Sequence, residues 1–175
     1  MRHSDLRLCI LLLACALKPQ VPILLAQTTW DRYTPGTLAS VIQQEEGMVR
    51  EAIVRHPDSV EHRYISAWDF PTRARLIYMG RSRPLSPERR ELLRLWGRAL
   101  QKPADFIARF KKEHLFREDS LELWLAVQSV LERHLAAEAE PDRLILAFVL
   151  FVGGHYAGAD ITWLFLMNRF DAEGP

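Results

Sequence analysis

Residues 144–167, LILAFVLFVGGHYAGADITWLFLM, decide how this chain is read. The stretch holds no Lys, Arg or Glu and is flanked by Arg143 and Arg169, and about 20 apolar residues are enough to cross a bilayer as a helix. Its interior argues against that use. Gly153, Gly154, His155, Gly158 and Asp160 stand in the middle, and one Asp at that depth costs roughly 2.5–3.5 kcal/mol on the insertion scale. A helix apolar all round is expected in a protein core as well as in lipid. The stretch is therefore expected to form two buried helices, joined or kinked at Gly153–Gly154, with a membrane segment as the alternative.

Within it, Gly-Gly-His155-Tyr156-Ala-Gly-Ala-Asp160 is the most unusual string in the chain. Glycine lets backbone approach closely, and His155 with Asp160 could form an acid/base couple or part of a metal site. On one helix a five-residue offset turns the two about 140° apart, so they converge only if the glycines break the helix. The plainer reading is a helix break with a core histidine and a hydrogen-bonded Asp.

Upstream, the apolar spacing is mostly helical. Thr34-Pro35 opens the first pattern, in which Leu38, Val41, Ile42, Met48, Val49 and Ile53 recur at intervals of three and four, and His56-Pro57 ends it. Ser86-Pro87-Glu88 is an N-cap with Pro at the first helical position, followed by an apolar face of Leu92, Leu93, Trp96, Ala99 and Leu100. Lys102-Pro103 starts the next helix, with Phe106, Ile107 and Phe110 on one face. Asp119-Ser120 can cap another, carrying Leu123, Trp124, Val127, Val130, Leu131 and Leu135. Residues 61–80 differ: Tyr64–Trp68 and Ala74–Met79 are short and rich in aromatic and branched residues, which favours a β-hairpin or two extended segments. The expected fold is a single, mainly α domain of five or six helices over residues 27–175.

The 49% apolar content supplies a core and excludes a disordered or collagenous chain. Arg2 and Arg7 precede the apolar run Leu8–Leu17, and a second apolar run spans Val21–Ala26. This is the pattern of an export signal over residues 1–26, with Cys15 as a lipidation site or an uncleaved anchor as alternatives. Both cysteines lie inside that segment, so cleavage after it leaves no disulfide, thiol nucleophile or thiolate metal site. The expected location is periplasmic, envelope-attached or secreted. Membrane contact is expected through the N-terminal segment before residues 144–167.

Arginine is concentrated between residues 73 and 98, at Arg73, Arg75, Arg81, Arg83, Arg89, Arg90, Arg94 and Arg98, against Glu88 and Glu91. Arg81, Arg83, Arg89 and Arg90 flank the Ser86 cap, so guanidinium forks and the first amides of the helix could address one phosphate or carboxylate. The alternative is internal matching with the acidic block of residues 118–142, where seven acids face Arg133 alone. The His residues show no metal-ligand spacing, no Gly-x-Ser-x-Gly elbow or phosphate loop is present, and no cofactor is implied. Nucleic acid is disfavoured by the near-neutral charge of +1 and the missing motifs. The functional expectation is a non-enzymatic envelope domain that binds a protein or an anionic ligand through its arginines. A small enzyme around His155 and Asp160 is the rival.

Overall fold

The computed structural model describes residues 30–55, 61–66, 68–157 and 160–172. It overturns the mainly α expectation: among the described residues seven strands form one mixed sheet, accompanied by four helices. In chain order these are β1 (Thr34–Pro35), α1 (Leu38–Arg55), β2 (Glu61–Ile65), β3 (Thr72–Pro84), α2 (Pro87–Ala99) and α3 (Ala104–Ile107). Then follow β4 (Phe110–Glu118), β5 (Leu121–Gln128), α4 (Ser129–Glu138), β6 (Leu144–Ala157) and β7 (Asp160–Ala172). The strand order is β1-β3-β4-β5-β7-β6-β2, and β3 also pairs with β6. That extra pairing closes a ring of β3, β4, β5, β7 and β6. Only β5–β7 is parallel within the ring.

The decisive stretch is the antiparallel pair β6–β7, not two helices. Along β6, Ile145, Ala147, Val149 and Phe151 join one buried cluster, while Phe148, Leu150 and Val152 join the other. Strand side chains alternate between faces, so a strand buried on both reads as an unbroken apolar run. The first cluster fills the ring with Leu76, Phe116, Leu125 and Phe165, all almost fully buried, and is closed by Leu38 and Val41 of α1 and Leu135 of α4. The second lies outside the ring, where Leu92, Leu93 and Trp96 of α2 cover Phe148, Leu150, Leu164 and Leu166. Each such side chain contributes about 1.5–3 kcal/mol on burial. Among the described residues no helix is long and apolar enough to cross a membrane.

The paired glycines serve the sheet. The β6–β7 register skips Val152 on one strand and Asn168 on the other, which are bulges of the kind that bend a strand. Gly153 follows the first bulge at φ 147°, and a Cβ there would stand 2.0 Å from the Tyr64 carbonyl oxygen of β2. Gly154 packs under the Trp163 ring. Gly153 lets β2 run close against β6 and Gly154 makes room for a β7 side chain, rather than the pair breaking a helix.

Other boundaries shift for similar reasons. Thr34-Pro35 is β1, and α1 starts at Leu38, after Thr37, whose Oγ1 accepts the Ser40 amide. Glu118, at the end of β4, is nearly buried and accepts the amides of Leu38 and Ala39 at 2.9 and 2.8 Å, so it caps α1 from a distant part of the chain. The helix expected from Asp119 onward is β5 followed by α4, and the one at Phe106–Phe110 is the short α3 running into β4. Residues 61–80 contain two extended segments, but β2 pairs with β6 and β3 with β1, β4 and β6. They do not form a hairpin.

Candidate functional site

Two arginines of the Arg-rich region converge on one buried acid. Ser86 caps α2 by accepting the Arg89 amide at 3.3 Å, and the first turn of that helix carries Arg89 inward. Arg89 is 7% exposed, and its Nε lies 2.6 Å from Oε2 of Glu113, a β4 residue with 1% of its side chain exposed. The two atoms face each other off the N–H direction, so charge holds this pair more than an aligned hydrogen bond. Nη2 of Arg89 donates to the Trp124 carbonyl at 2.9 Å. Burial draws the Arg89 guanidinium below its ordinary range, Glu113 opposes that shift, and Arg83 adds to it. The other oxygen of Glu113 accepts Arg83 Nε at 2.5 Å. Arg83 is 48% exposed, and its guanidinium lies over the Trp124 ring at 4.0 Å from the centroid.

Beside this hub is a cleft of about 370 Å³ lined by Arg83, Pro84, Ser86, Glu88, Arg89, His155 and Thr162. His155 is half-buried on β6 and stands opposite Thr162 of β7 in the antiparallel register. The cleft thus lies between the start of α2 and one end of the β6–β7 pair. Glu88 sits on its rim, its pKa lowered by the Ser86 hydroxyl, then by its own amide and the nearby His155 and Arg90.

The helix start does not supply free amides to an anion, as the sequence suggested. Pro87 has no N–H, the Glu88 amide faces its own carboxylate, Arg89 N–H goes to Ser86 Oγ, and Arg90 N–H goes to Ser86 O at 2.9 Å. Recognition in this cleft falls to side chains instead. Of the four arginines singled out, Arg83 and Arg89 line it. Arg81 is exposed, 5.8 Å from the Trp124 centroid, and Arg90 is exposed on the outer side of α2.

The helical argument that kept His155 and Asp160 apart lapses, because they lie on paired strands. Asp160 stands opposite Ala157, two positions from the His155–Thr162 pair, and its side chain lies outside the described residues. Cys15, Gly158 and the segment 1–26 also lie outside them. Among the described residues no group of three or more ligating side chains gathers as a metal site. His114 is buried and shares a hydrogen bond with Tyr78 Oη at 3.2 Å, and His134 pairs with Glu138 on α4.

Several charged groups of the opposed blocks have partners other than each other. Among the described ion pairs, Arg83 and Arg89 use Glu113, which lies outside the acidic block, and Arg94 uses Glu91 of its own helix. Within the block Glu118 caps α1, Glu132 takes Lys112, and Glu140 takes Arg143. Sequence reasoning missed Glu113 and Trp124. Glu113 sits in Lys111-Lys112-Glu113-His114, whose inward-facing member becomes visible only once β4 is known to be a strand. A comparison with family models, with curated proteins and with solved structures finds no match at any of the three.

Proposed function

We propose that this is a binding domain of the cell envelope or exterior whose Arg83 cleft receives an anionic group, a carboxylate or phosphate, carried by a ligand or protein partner. One observation carries the reading. The half-exposed Arg83 guanidinium is fixed on one edge by the buried Glu113 and on one face by Trp124, and it lines the same cleft as His155 and Thr162. An arginine held in this way loses little side-chain freedom on binding and offers a planar fork to an oxyanion. Binding is preferred over catalysis because the charged groups of the cleft are tied to one another, and Ser86 Oγ is engaged as a helix cap. Glu88 is the acid that an incoming anion must tolerate.

The test is titration with inorganic phosphate and with acetate, read by calorimetry and by tryptophan emission, since Trp124 lies against Arg83. Saturable binding that is lost in Arg83→Ala and strengthened in Glu88→Gln is expected. Wild-type titration by Arg83→Ala, or no saturable signal with either anion, would overturn the reading.

A further inference from the structure

A second surface, separate from the cleft, runs along the outer side of α2. Arg90, Arg94 and Arg98 are all exposed and recur every four residues, so they form one stripe with charges about 6 Å apart along the helix. Arg94 pairs with Glu91, and the positive charges of Arg63 and Arg98 also act on that acid. Arg63 belongs to β2, which packs beside α2, and is itself exposed. The stripe therefore widens into a basic face around Glu91, which borders the cleft at Glu88.

Beyond the Arg98 end of the stripe, the turn after β2 carries Trp68 next to Asp69, which pairs with Lys102 just past the end of α2. Trp68 is 72% exposed, whereas Trp96 is fully buried, and Trp30, Trp124 and Trp163 are partly buried. The exposure is built in by the backbone. Ser66 Oγ donates to the Trp68 carbonyl at 2.6 Å and accepts the Trp68 amide at 3.2 Å, and the Asp69 carbonyl accepts the Phe151 amide at 2.9 Å. The Asp69 carboxylate then binds Lys102, just past the end of α2, at 3.0 Å. The same carboxylate lies 3.9 Å from Arg32. The turn that presents Trp68 is thereby fixed beside the point where residues 1–29, with their apolar runs Leu8–Leu17 and Val21–Ala26, lead into the fold.

We propose that this face, with Arg63, Arg90, Arg94 and Arg98 set among anionic lipid headgroups and Trp68 at the headgroup level, docks on a membrane surface. An indole with one apolar body and one N–H suits that interface, and clustered arginines are drawn to an anionic leaflet. A soluble acidic polymer could meet the arginines but gives no reason for an indole held out beyond the end of the stripe, beside the entry of an apolar segment.

The experiment uses the full chain on phosphatidylglycerol vesicles that contain bromine-labelled lipids, with Trp68→Phe as the reference. Because the apolar N-terminal segment could bind vesicles unaided, the readout is the Trp68-dependent part of the quenching, not vesicle association. Quenching by bromines near the headgroup is expected in the wild type and lost in Trp68→Phe. It is also expected to be lost in the Arg90→Gln, Arg94→Gln, Arg98→Gln triple variant, and on phosphatidylcholine vesicles. These side chains are exposed, so the variants are expected to fold, and circular dichroism checks this. Absence of Trp68-dependent quenching on anionic vesicles overturns the proposal. So does equal quenching on neutral ones, or stripe-dependent binding of polyglutamate in its place. The cleft reading survives either result, since Arg83 and Glu88 are untouched.

Discussion

Replacing Glu113 by Gln tests the hub of the arginine cluster. The carboxylate is buried and lies between Arg89, itself 7% exposed, and Arg83, 48% exposed. Its charge removed, Arg89 keeps the Trp124 carbonyl as an acceptor but stays buried without a counter-ion. Stranding one member of a buried ion pair costs about 3–5 kcal/mol. The Arg83 half adds little, since a half-exposed pair is screened by water and contributes about 0–1 kcal/mol. At roughly 2–4 °C per kcal/mol for a chain of this size, the midpoint of thermal unfolding should fall by about 6–20 °C. Urea unfolding followed by circular dichroism gives the free energy directly. Two controls locate the cause: Arg83→Ala should cost about 1 kcal/mol or less, and the apolar double variant Glu113→Leu with Arg89→Met should recover most of the loss. A loss below about 1 kcal/mol for Glu113→Gln, or a double variant no better than the single one, would refute the view of Glu113 as the counter-ion on which Arg89 depends.

Three further outcomes follow from the fold. Gly153→Ala adds a Cβ at 2.0 Å from the Tyr64 carbonyl and forces φ 147° on a residue with a side chain, so it should destabilise by several kcal/mol, at least about 3; wild-type urea unfolding would contradict the close β2–β6 approach. Glu118→Ala removes the acceptor of two α1 amides and should cost about 1–2 kcal/mol, with faster hydrogen exchange at Leu38 and Ala39 as the specific sign. Burial lowers the His114 pKa from its ordinary 6.5, with Glu132 opposing and Lys112 reinforcing the shift. The unfolded chain therefore binds the proton more readily, and stability that is full above about pH 6.5 should decline as the pH falls toward the depressed folded value. That slope should be reduced in His114→Gln, and an unchanged slope would assign it elsewhere.

The legible parts of the fold were those where local chemistry and tertiary structure agree. Ser86-Pro87-Glu88 marks the start of α2 because capping is decided within four residues. Residues 144–167 misled because a strand apolar on both faces has no alternation left to read, and Gly153 answers to the distant Tyr64 backbone. Leu123, Trp124, Val127 and Leu131 fit helical spacing, yet Leu121, Leu123, Leu125 and Val127 fit a strand equally well. The register with β4 and β7 decides between them. The same holds for the site. Arg83 and Arg89 stood out by density alone, but Glu113 and Trp124, which orient them, come from β4 and β5 and are adjacent only once β3, β4 and β5 have paired.

That closure also bears on how the chain reaches its fold during synthesis. β7 is the only strand lying between β5 and β6, and β6 in turn seals the ring against β3. A nascent chain that ends before β7 therefore carries β5 and β6 with open edges and with the large side chains of the interior cluster still wet. The pairings that close the ring, β5–β7 and β3–β6, join residues far apart in sequence, which slows folding and prolongs the interval in which such edges can meet another chain. Truncations inside the last strand should thus yield aggregates rather than a smaller folded domain.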